Sequence, residues 1–208
     1  MAIAIVVSTI SGTNSSGTTS SAVDTTGSSL LIVGMAYFNG SGAPTLSDSK
    51  GNTWTPLTQY AGSILYLRFF YATSPIVGSG HTFTASGASS FTTLAMMALS
   101  GTKASSPFDV ESSTTVTPTE DNEIIVAISG NPTPGNAPTA ISGGLTIQNS
   151  IVNSNGNYFG LAIAYQIQTA ATSRTPAWTN GDGNAIATFK AASAAVANSS
   201  NLLLLGVG

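Results

Sequence analysis

The chain has 208 residues and a net charge of −3, from five lysine or arginine and eight aspartate or glutamate residues. Charged residues make up only 6% of the chain, against roughly 25% in an ordinary soluble domain. Serine and threonine, with 30 and 28 residues, take their place. So few and scattered cations exclude a basic nucleic-acid-binding surface. The same shortage of charge excludes a coiled coil or a charged helical bundle.

The chain has no cysteine and a single histidine, His81. A disulfide framework, a thiolate metal site and a cysteine nucleophile are therefore excluded. One histidine without cysteine also excludes an ordinary structural zinc site. We expect neither a cofactor nor a structural metal ion.

Both ends of the chain are apolar and uncharged. Residues 1–7 lack a preceding basic region and the apolar run stops at Ser8, which is too short for a signal peptide or a membrane span, and residues 201–208 are equally short. We interpret both ends as strands that pack within the fold or against a neighbouring subunit. The interface candidates are Ile3, Ile5, Val7, Leu202, Leu203, Leu204 and Leu205.

Short segments rich in valine, isoleucine, threonine and aromatic residues recur along the whole chain, separated by glycine, serine, asparagine and proline. This pattern predicts an all-β, antiparallel sandwich. Residues 190–197 are rich in alanine, and their pattern fits either a helix or the end of a strand. The predicted strands are 2–10, 18–26, 29–38, 53–60, 63–72, 81–86, 91–100, 112–117, 123–129, 144–152, 158–167, 176–179, 185–190 and 201–207.

Two of these strands alternate clearly between two faces. Alternate side chains of a strand point to opposite sides of the sheet, so one apolar set is expected to face the core. The predicted core faces are Leu65, Leu67, Phe69 and Tyr71 in one strand and Phe159, Leu161, Ile163 and Tyr165 in the other.

The two halves of the sequence, about 1–105 and 106–208, form a weak repeat with an offset of 93 to 95 residues. The matched segments are 30–33 with 123–126, 43–45 with 137–139 and 62–71 with 156–165, together with Phe83 with Trp178 and Leu94 with Phe189. Each half could be a small sandwich, or each could supply one Greek key to a single jelly roll. We favour a single jelly-roll-like sandwich over residues 1–208, with its first and last strands near each other.

The titratable residues favour structural roles. His81 begins a predicted strand, and no Gly-x-Ser-x-Gly motif stands between a strand and a helix. We therefore predict no catalytic residue. Five acids are close in sequence, and we interpret them as a solvated sheet edge, with a calcium site as the alternative. They are Asp109, Glu111, Glu120, Asp121 and Glu123.

Aromatic residues are the candidate ligand platforms. Trp54 and Trp178 lie in alternating segments, which places them in the core, with stacking on a ligand or a subunit as the alternative. The better candidates for exposed aromatic side chains are Tyr37, Tyr60, Tyr66 and Tyr158.

Four segments carry a resemblance to known proteins. They are Leu30-Leu31-Ile32-Val33, Asp48-Ser49-Lys50-Gly51-Asn52-Thr53-Trp54, Phe70-Tyr71-Ala72-Thr73, and Leu99-Ser100-Gly101 followed by Ser106-Pro107-Phe108-Asp109. Over residues 28–109 this order resembles a diffuse set of jelly-roll-like β-sandwich proteins from bacterial and tailed-phage genomes. The resemblance implies a virion protein, such as a capsid decoration (cement) protein, a head fibre or a tail tip. It carries no functional residues.

These observations predict a non-enzymatic structural protein of a tailed-phage virion. We expect a capsid decoration protein that forms a homo-oligomer, a trimer among the options, and binds other virion proteins such as a major capsid protein. It is expected in the virion after assembly in the host cytoplasm, without nucleic-acid or membrane partners. The alternative is a carbohydrate-binding module or adhesin of a phage tail fibre or bacterial surface. A lyase or glycosidase on a jelly roll is a third hypothesis.

Overall fold

The computed structural model describes residues 2–13, 17–88, 91–154 and 157–193. In these residues the chain forms fifteen strands and no helix. The strands are β1 (Ala4–Thr13), β2 (Gly17–Thr19), β3 (Leu30–Phe38), β4 (Thr45–Asp48), β5 (Thr55–Ala61), β6 (Leu65–Thr73), β7 (Phe83–Ser86), β8 (Thr92–Ser100), β9 (Phe108–Ser112), β10 (Ile124–Asn131), β11 (Ala140–Ile141), β12 (Thr146–Ile151), β13 (Gly160–Ile167), β14 (Trp178–Thr179) and β15 (Asp182–Phe189).

The strands form two large and two small sheets. The first large sheet has the order β1-β8-β3-β6-β5, and the second has the order β9-β15-β10-β13-β12. The small sheets are β2-β7-β4 and β11-β14. All strand pairs are antiparallel. The predicted all-β antiparallel sandwich is confirmed.

The strand order repeats between the halves. Matching β1 with β9, β8 with β15, β3 with β10, β6 with β13 and β5 with β12 superimposes one large-sheet order on the other, and β4 and β7 match β11 and β14. In the first half, β1-β8-β3-β6 beside β2-β7-β4 is a jelly-roll order, with β5 moved onto the large sheet. The two pseudo-repeated halves are thus visible in the topology, and each half has its own pair of sheets.

The register of the repeat differs in part from the sequence alignment. The predicted match of 62–71 with 156–165 makes Tyr71 equivalent to Tyr165, and these residues lie opposite Ile32 and Val126. Ile32 and Val126 also face the same core, whereas Ile125 faces another. The same pairing equates Ile32 with Val126, so the predicted match of 30–33 with 123–126 is one residue out. A shift of one residue puts every side chain on the wrong face of a strand, which pattern matching in similar apolar segments does not detect.

A central core joins the two large sheets. It contains Ile32, Leu67 and Met97 of the first sheet and Val126, Ile163 and Ala187 of the second. Both predicted core faces are confirmed, since all eight of their side chains belong to this core or pack against it. The core therefore spans both halves of the chain.

A separate outer core lies between each large sheet and its small sheet. The outer core of the first half includes Leu31, Met35 and Phe83, and that of the second half includes Ile125 and Ile186. Strands β3, β8 and β10 are covered on both faces, which explains their almost continuous apolar sequences.

Glycines allow the two large sheets to approach closely. A Cβ added to Gly34 on β3 would lie 2.7 Å from Cγ2 of Ile128, and one added to Gly130 would lie 2.7 Å from Cδ2 of Leu65. Both distances are shorter than a van der Waals contact. Gly34 and Gly130 thus bring the backbones of opposite sheets together.

Several predicted boundaries are wrong. The predicted strand 18–26 overlaps a strand only at Thr18 and Thr19, and β9 begins before its predicted position at 112–117. Strands β4 and β11 lie outside the predicted strands. Short strands with Gly, Pro and Ser neighbours carry too little periodicity to be recognised. Of residues 190–197, Ala191 forms a bridge with Thr102. The predicted strand 201–207 lies outside the described residues.

Candidate functional site

The only histidine lies in a buried polar cluster between the sheets of the first half. His81 is fully buried, its Nδ1 lies 2.9 Å from the Thr25 hydroxyl, and its Nε2 lies 3.1 Å from Oδ1 of Asp48. Its ring stacks on Phe83 with centroids 4.4 Å apart. This Thr-His-Asp arrangement has the residue types of a catalytic triad. However, neither the histidine nor the Asp48 side chain is exposed to solvent, so the cluster supports the predicted structural role.

Asp48 organises the loop that follows β4. Its carboxylate accepts hydrogen bonds from the backbone N–H groups of Lys50 and Asn52 and from Nε1 of Trp54, at 2.8, 3.3 and 2.7 Å. Burial raises the pKa of Asp48, but these hydrogen bonds and that with His81 outweigh burial and hold the pKa below its ordinary value. The loop 48–54 is thus tied to one buried carboxylate.

Trp54 lies beside an open groove of about 350 Å³. Its half-buried ring packs edge-on against Phe83, with centroids 6.0 Å apart. Arg68 lines the same groove, and its guanidinium lies 5.4 Å from the ring centre of Phe70. We call this feature the Trp54 groove. Its lining residues are Ala43, Pro44, Thr45, Leu46, Trp54, Pro56, Arg68 and Phe70.

Trp178 has a different setting in the second half. Its half-buried ring packs against the outer core of that half, and Nε1 donates to Oδ1 of Asn184 at 3.1 Å. Arg174 bridges to Val116 where His81 bridges to Val23 in the first half. The buried histidine cluster therefore has no counterpart in the described part of the second half.

Tyr37, predicted to be exposed, is fully buried and donates to Gln59, because the small sheet covers the outer face of β3.

Three of the five clustered acids come together, and two do not. Asp109 and Glu120 contact Lys190, and Glu123 lies beside Asp109. This corrects the expected solvated edge, since Glu123 is fully buried. Glu111 instead accepts hydrogen bonds from the N–H and hydroxyl groups of Thr58, at 3.0 and 2.7 Å. Proximity in sequence did not predict proximity in the structure, because the side chains of β9 and of the turn before β10 point in different directions.

Asp121 and Asp182 also hold backbone groups. Asp121 accepts from the Ala171 N–H at 2.7 Å, and Asp182 accepts from the Ser63 N–H and hydroxyl at 2.9 and 2.8 Å. Over the described ranges, no three of the histidine, aspartate and glutamate residues form a group that could hold a metal ion.

The apolar interface candidates of the first strand face the interior. Ile3 is buried, Ile5 packs against the central core and Val7 packs against the outer core of the first half. In β1 it is Val6 that is exposed. Leu202, Leu203, Leu204 and Leu205 lie outside the described residues.

A small apolar patch lies elsewhere, where the two halves meet. Ile64 and Val152 are 46% and 53% exposed, and Ile64 borders a hollow of about 160 Å³ lined also by Phe38, Phe91, Pro132, Asn153 and Phe159. The sequence carried no signal for this patch, because its side chains come from segments far apart in the chain.

In the part of the chain that the structure describes, no helix is long and apolar enough to cross a membrane. Comparisons of the chain with protein-family models, with curated proteins and with solved structures found no match. The sequence and the geometry described above are therefore the basis for an assignment of function.

Proposed function

We propose that the protein is a non-enzymatic structural component of a tailed-phage virion, a capsid decoration protein that binds a lattice of major capsid protein as a homo-oligomer. One observation carries the proposal. All thirteen charged side chains lie in the described residues, and each is hydrogen-bonded or ion-paired within the chain.

These internal partners are mostly structural. Asp48, Glu111, Asp121 and Asp182 hold backbone N–H groups of loops and edge strands. General acid–base catalysis needs a titratable group that can reach a substrate, whereas His81 is enclosed. The surface carries few charges, each with a partner within the chain, and it is rich in hydroxyl groups. Such a surface can be covered by a protein lattice with little cost for desolvating charges.

The fold is compatible with this role. Jelly rolls are frequent in viral shells, although they also occur in lectins and enzymes, so the fold alone does not choose. Two large sheets packed through one continuous core give a rigid unit, which suits a protein used in many copies.

The test is the protein content of purified particles of the phage or prophage that encodes the chain. We expect quantitative mass spectrometry to find the chain in many copies per particle, in a fixed ratio to the major capsid protein. Light scattering of the recombinant protein should give a discrete oligomer across concentrations. Absence of the chain from the particles would overturn the proposal.

The Trp54 groove favours a second candidate, a carbohydrate-binding module. An indole ring can stack on the apolar face of a sugar, and Arg68 supplies hydrogen-bond donors beside it. The hydrogen bond from Nε1 of Trp54 to the buried Asp48 carboxylate fixes the orientation of the indole ring.

This candidate is tested by glycan-array binding and calorimetry on the recombinant protein. Saturable binding that is lost in Trp54→Phe and kept in the matched variant Trp178→Phe would support it. An array without a hit, or equal binding by both variants, would contradict it.

A further inference from the structure

The strands at the start and end of the second half bring an amine and two carboxyl groups together. Asp109 lies on β9, which pairs with β15 through Phe108 and Phe189. Lys190 follows β15 directly, and Glu123 precedes β10, the other neighbour of β15. We call Asp109, Glu123 and Lys190 the lysine–carboxyl site.

The site is largely closed to solvent. Nζ of Lys190 lies 3.1 Å from Oδ1 of Asp109, and the two side chains are 18% and 5% exposed. Glu123 is fully buried. The 3.1 Å separation is an ion-pair distance between Nζ and a carboxyl oxygen, so the folded backbone holds the amine beside the carboxyl group.

Two groups of Thr119 hold the Asp109 carboxyl group in place. The backbone N–H of Thr119 donates to Oδ2 and its hydroxyl donates to Oδ1, both at 2.7 Å. Donors aimed at a carboxyl oxygen stabilise the negative charge that develops there when a nucleophile attacks the carbon. Asp109 is thus oriented by Thr119, and Lys190 contacts Oδ1, the oxygen that also accepts from the Thr119 hydroxyl.

Glu123 is placed to move protons at this site. The Glu120 N–H donates to its Oε1 at 3.0 Å, whereas the buried Oε2 has no partner of good hydrogen-bond geometry. The neighbouring Asp109 carboxylate is itself an acceptor, so a hydrogen bond between the two requires a proton on Glu123. Burial above all, with a smaller effect of Asp109, raises the pKa of Glu123 to about 7. A carboxyl group with such a pKa can both give and take a proton near neutral pH.

We propose that Lys190 and Asp109 condense into an intramolecular isopeptide bond, with Glu123 as the catalytic proton carrier. Glu123 gives its proton to the Asp109 carboxylate, and the Lys190 ammonium returns one proton to Glu123 through the Asp109 carboxyl group, which contacts both residues. The free amine attacks Cγ of Asp109, a C–N bond forms, a C–O bond breaks, and one water molecule leaves. No oxidant or external reactant is needed, since an ammonium and a carboxylate become an amide and water.

The main energetic obstacle to the condensation is the removal of a proton from Lys190, because carboxylates surround its ammonium group. Glu120 lies 3.1 Å from Nζ of Lys190 and 3.0 Å from Nζ of Lys103. Asp109 and Glu120 together raise the pKa of Lys190, so the lysine remains an ammonium until a carboxylate inside the site takes its proton. Glu123 is the buried carboxyl group that fills this role.

The bond would replace the staple that cysteine provides in other small proteins. It would lock β9 to the end of β15, and it would close a loop that contains β10 to β15. Closing a long loop stabilises a fold chiefly by restricting the unfolded chain. The proposal concerns this site alone and does not depend on a role in virions.

The decisive experiment is the intact mass of the purified full chain under denaturing conditions. We expect the measured mass to fall below the mass of the sequence by one water molecule. A mass equal to that of the unmodified chain, after prolonged incubation at neutral pH, would overturn the proposal.

Peptide mapping then locates the bond. Trypsin cleaves after Lys103 and Arg174, and it does not cleave after a lysine in amide linkage. We therefore expect residues 104–174 and 175–208 to be recovered as one branched species. Loss of water mapped to any other pair of residues would overturn the assignment.

Variants separate the chemistry from a structural role. Lys190→Arg keeps the positive charge but should retain the full sequence mass, as should Asp109→Ala and Glu123→Gln. Glu111→Gln, whose side chain contacts Thr58, is the matched control that should still lose one water. If Glu123→Gln forms the bond as completely as the unchanged chain, Glu123 is not the proton carrier.

Discussion

The two halves of the molecule share a strand order but are stabilised by different polar groups. The first half encloses Asp48 and His81 between its sheets and has a three-stranded small sheet. The second half has a two-stranded small sheet, and its buried charges gather at the edge of the large sheet, around Lys190. The apolar alternation that defines the topology is therefore common to both halves, while the polar anchors are local additions to each.

The largest expected effect comes from removing the anchor of the first half. Asp48→Ala should lower the free energy of unfolding by about 3 to 5 kcal/mol, because it leaves a buried histidine and several donors without their partner. Urea denaturation followed by tryptophan fluorescence measures this loss. The exposed neighbour variant Ser47→Ala is the control and should stay within about 0.5 kcal/mol. A loss below about 1 kcal/mol for Asp48→Ala would show that the cluster is not an anchor.

In the second half, the stability that Glu123 contributes should instead depend on pH. The pKa of Glu123 rises from 4.5 to about 7 on folding, so its stabilising contribution is complete below the unfolded pKa and is lost as the pH rises through about 7. This loss is up to about 3 kcal/mol.

We would measure unfolding free energies from pH 5 to pH 8 in the Lys190→Arg chain, which cannot form the proposed amide. Adding Glu123→Gln to that chain should flatten the profile. Stability that rises over this range by the same amount in both chains would contradict the role of Glu123.

Adding a methyl group where the large sheets approach closely should destabilise the protein to a similar degree in both halves. Gly34→Ala and Gly130→Ala each place a methyl group against a side chain of the opposite sheet, and overpacking of this kind costs about 1 to 3 kcal/mol. Gly42→Ala, where a Cβ meets nothing within 4 Å, is the control. A large effect at one glycine and none at the other would show that the central core is not symmetric.

The smallest expected effects concern two carboxylates of the second half that accept hydrogen bonds from the β5–β6 hairpin of the first half. Glu111→Gln and Asp182→Asn should each cost about 1 kcal/mol, because charged hydrogen bonds to Thr58 and Ser63 become neutral ones. Hydrogen exchange at the two backbone amides should increase in the matching variant only. Equal protection in all variants would mean that these contacts do not hold the β5–β6 hairpin.

The difference between the halves also explains which parts of the site were predictable. The core faces of β6 and β13 followed from alternation, since burial on one side leaves a period of two in the sequence. The burial of Glu123 left no such trace, because its neighbour Asp109 lies on β9, which comes near β10 only in the folded sheet. The Trp54 groove was partly anticipated, since Trp54 was recognised as a candidate ligand platform.

The sequence by itself determined the all-β class, the absence of thiols, and the repeat of strands, because these depend on composition and local periodicity. The tertiary structure decided the register of the repeat, the pairing of sheets within each half, and the partners of every charge. Those features depend on contacts between segments far apart in the chain. A carboxylate is a surface group or a buried proton carrier according to what the fold places beside it, and residue type alone does not contain that information.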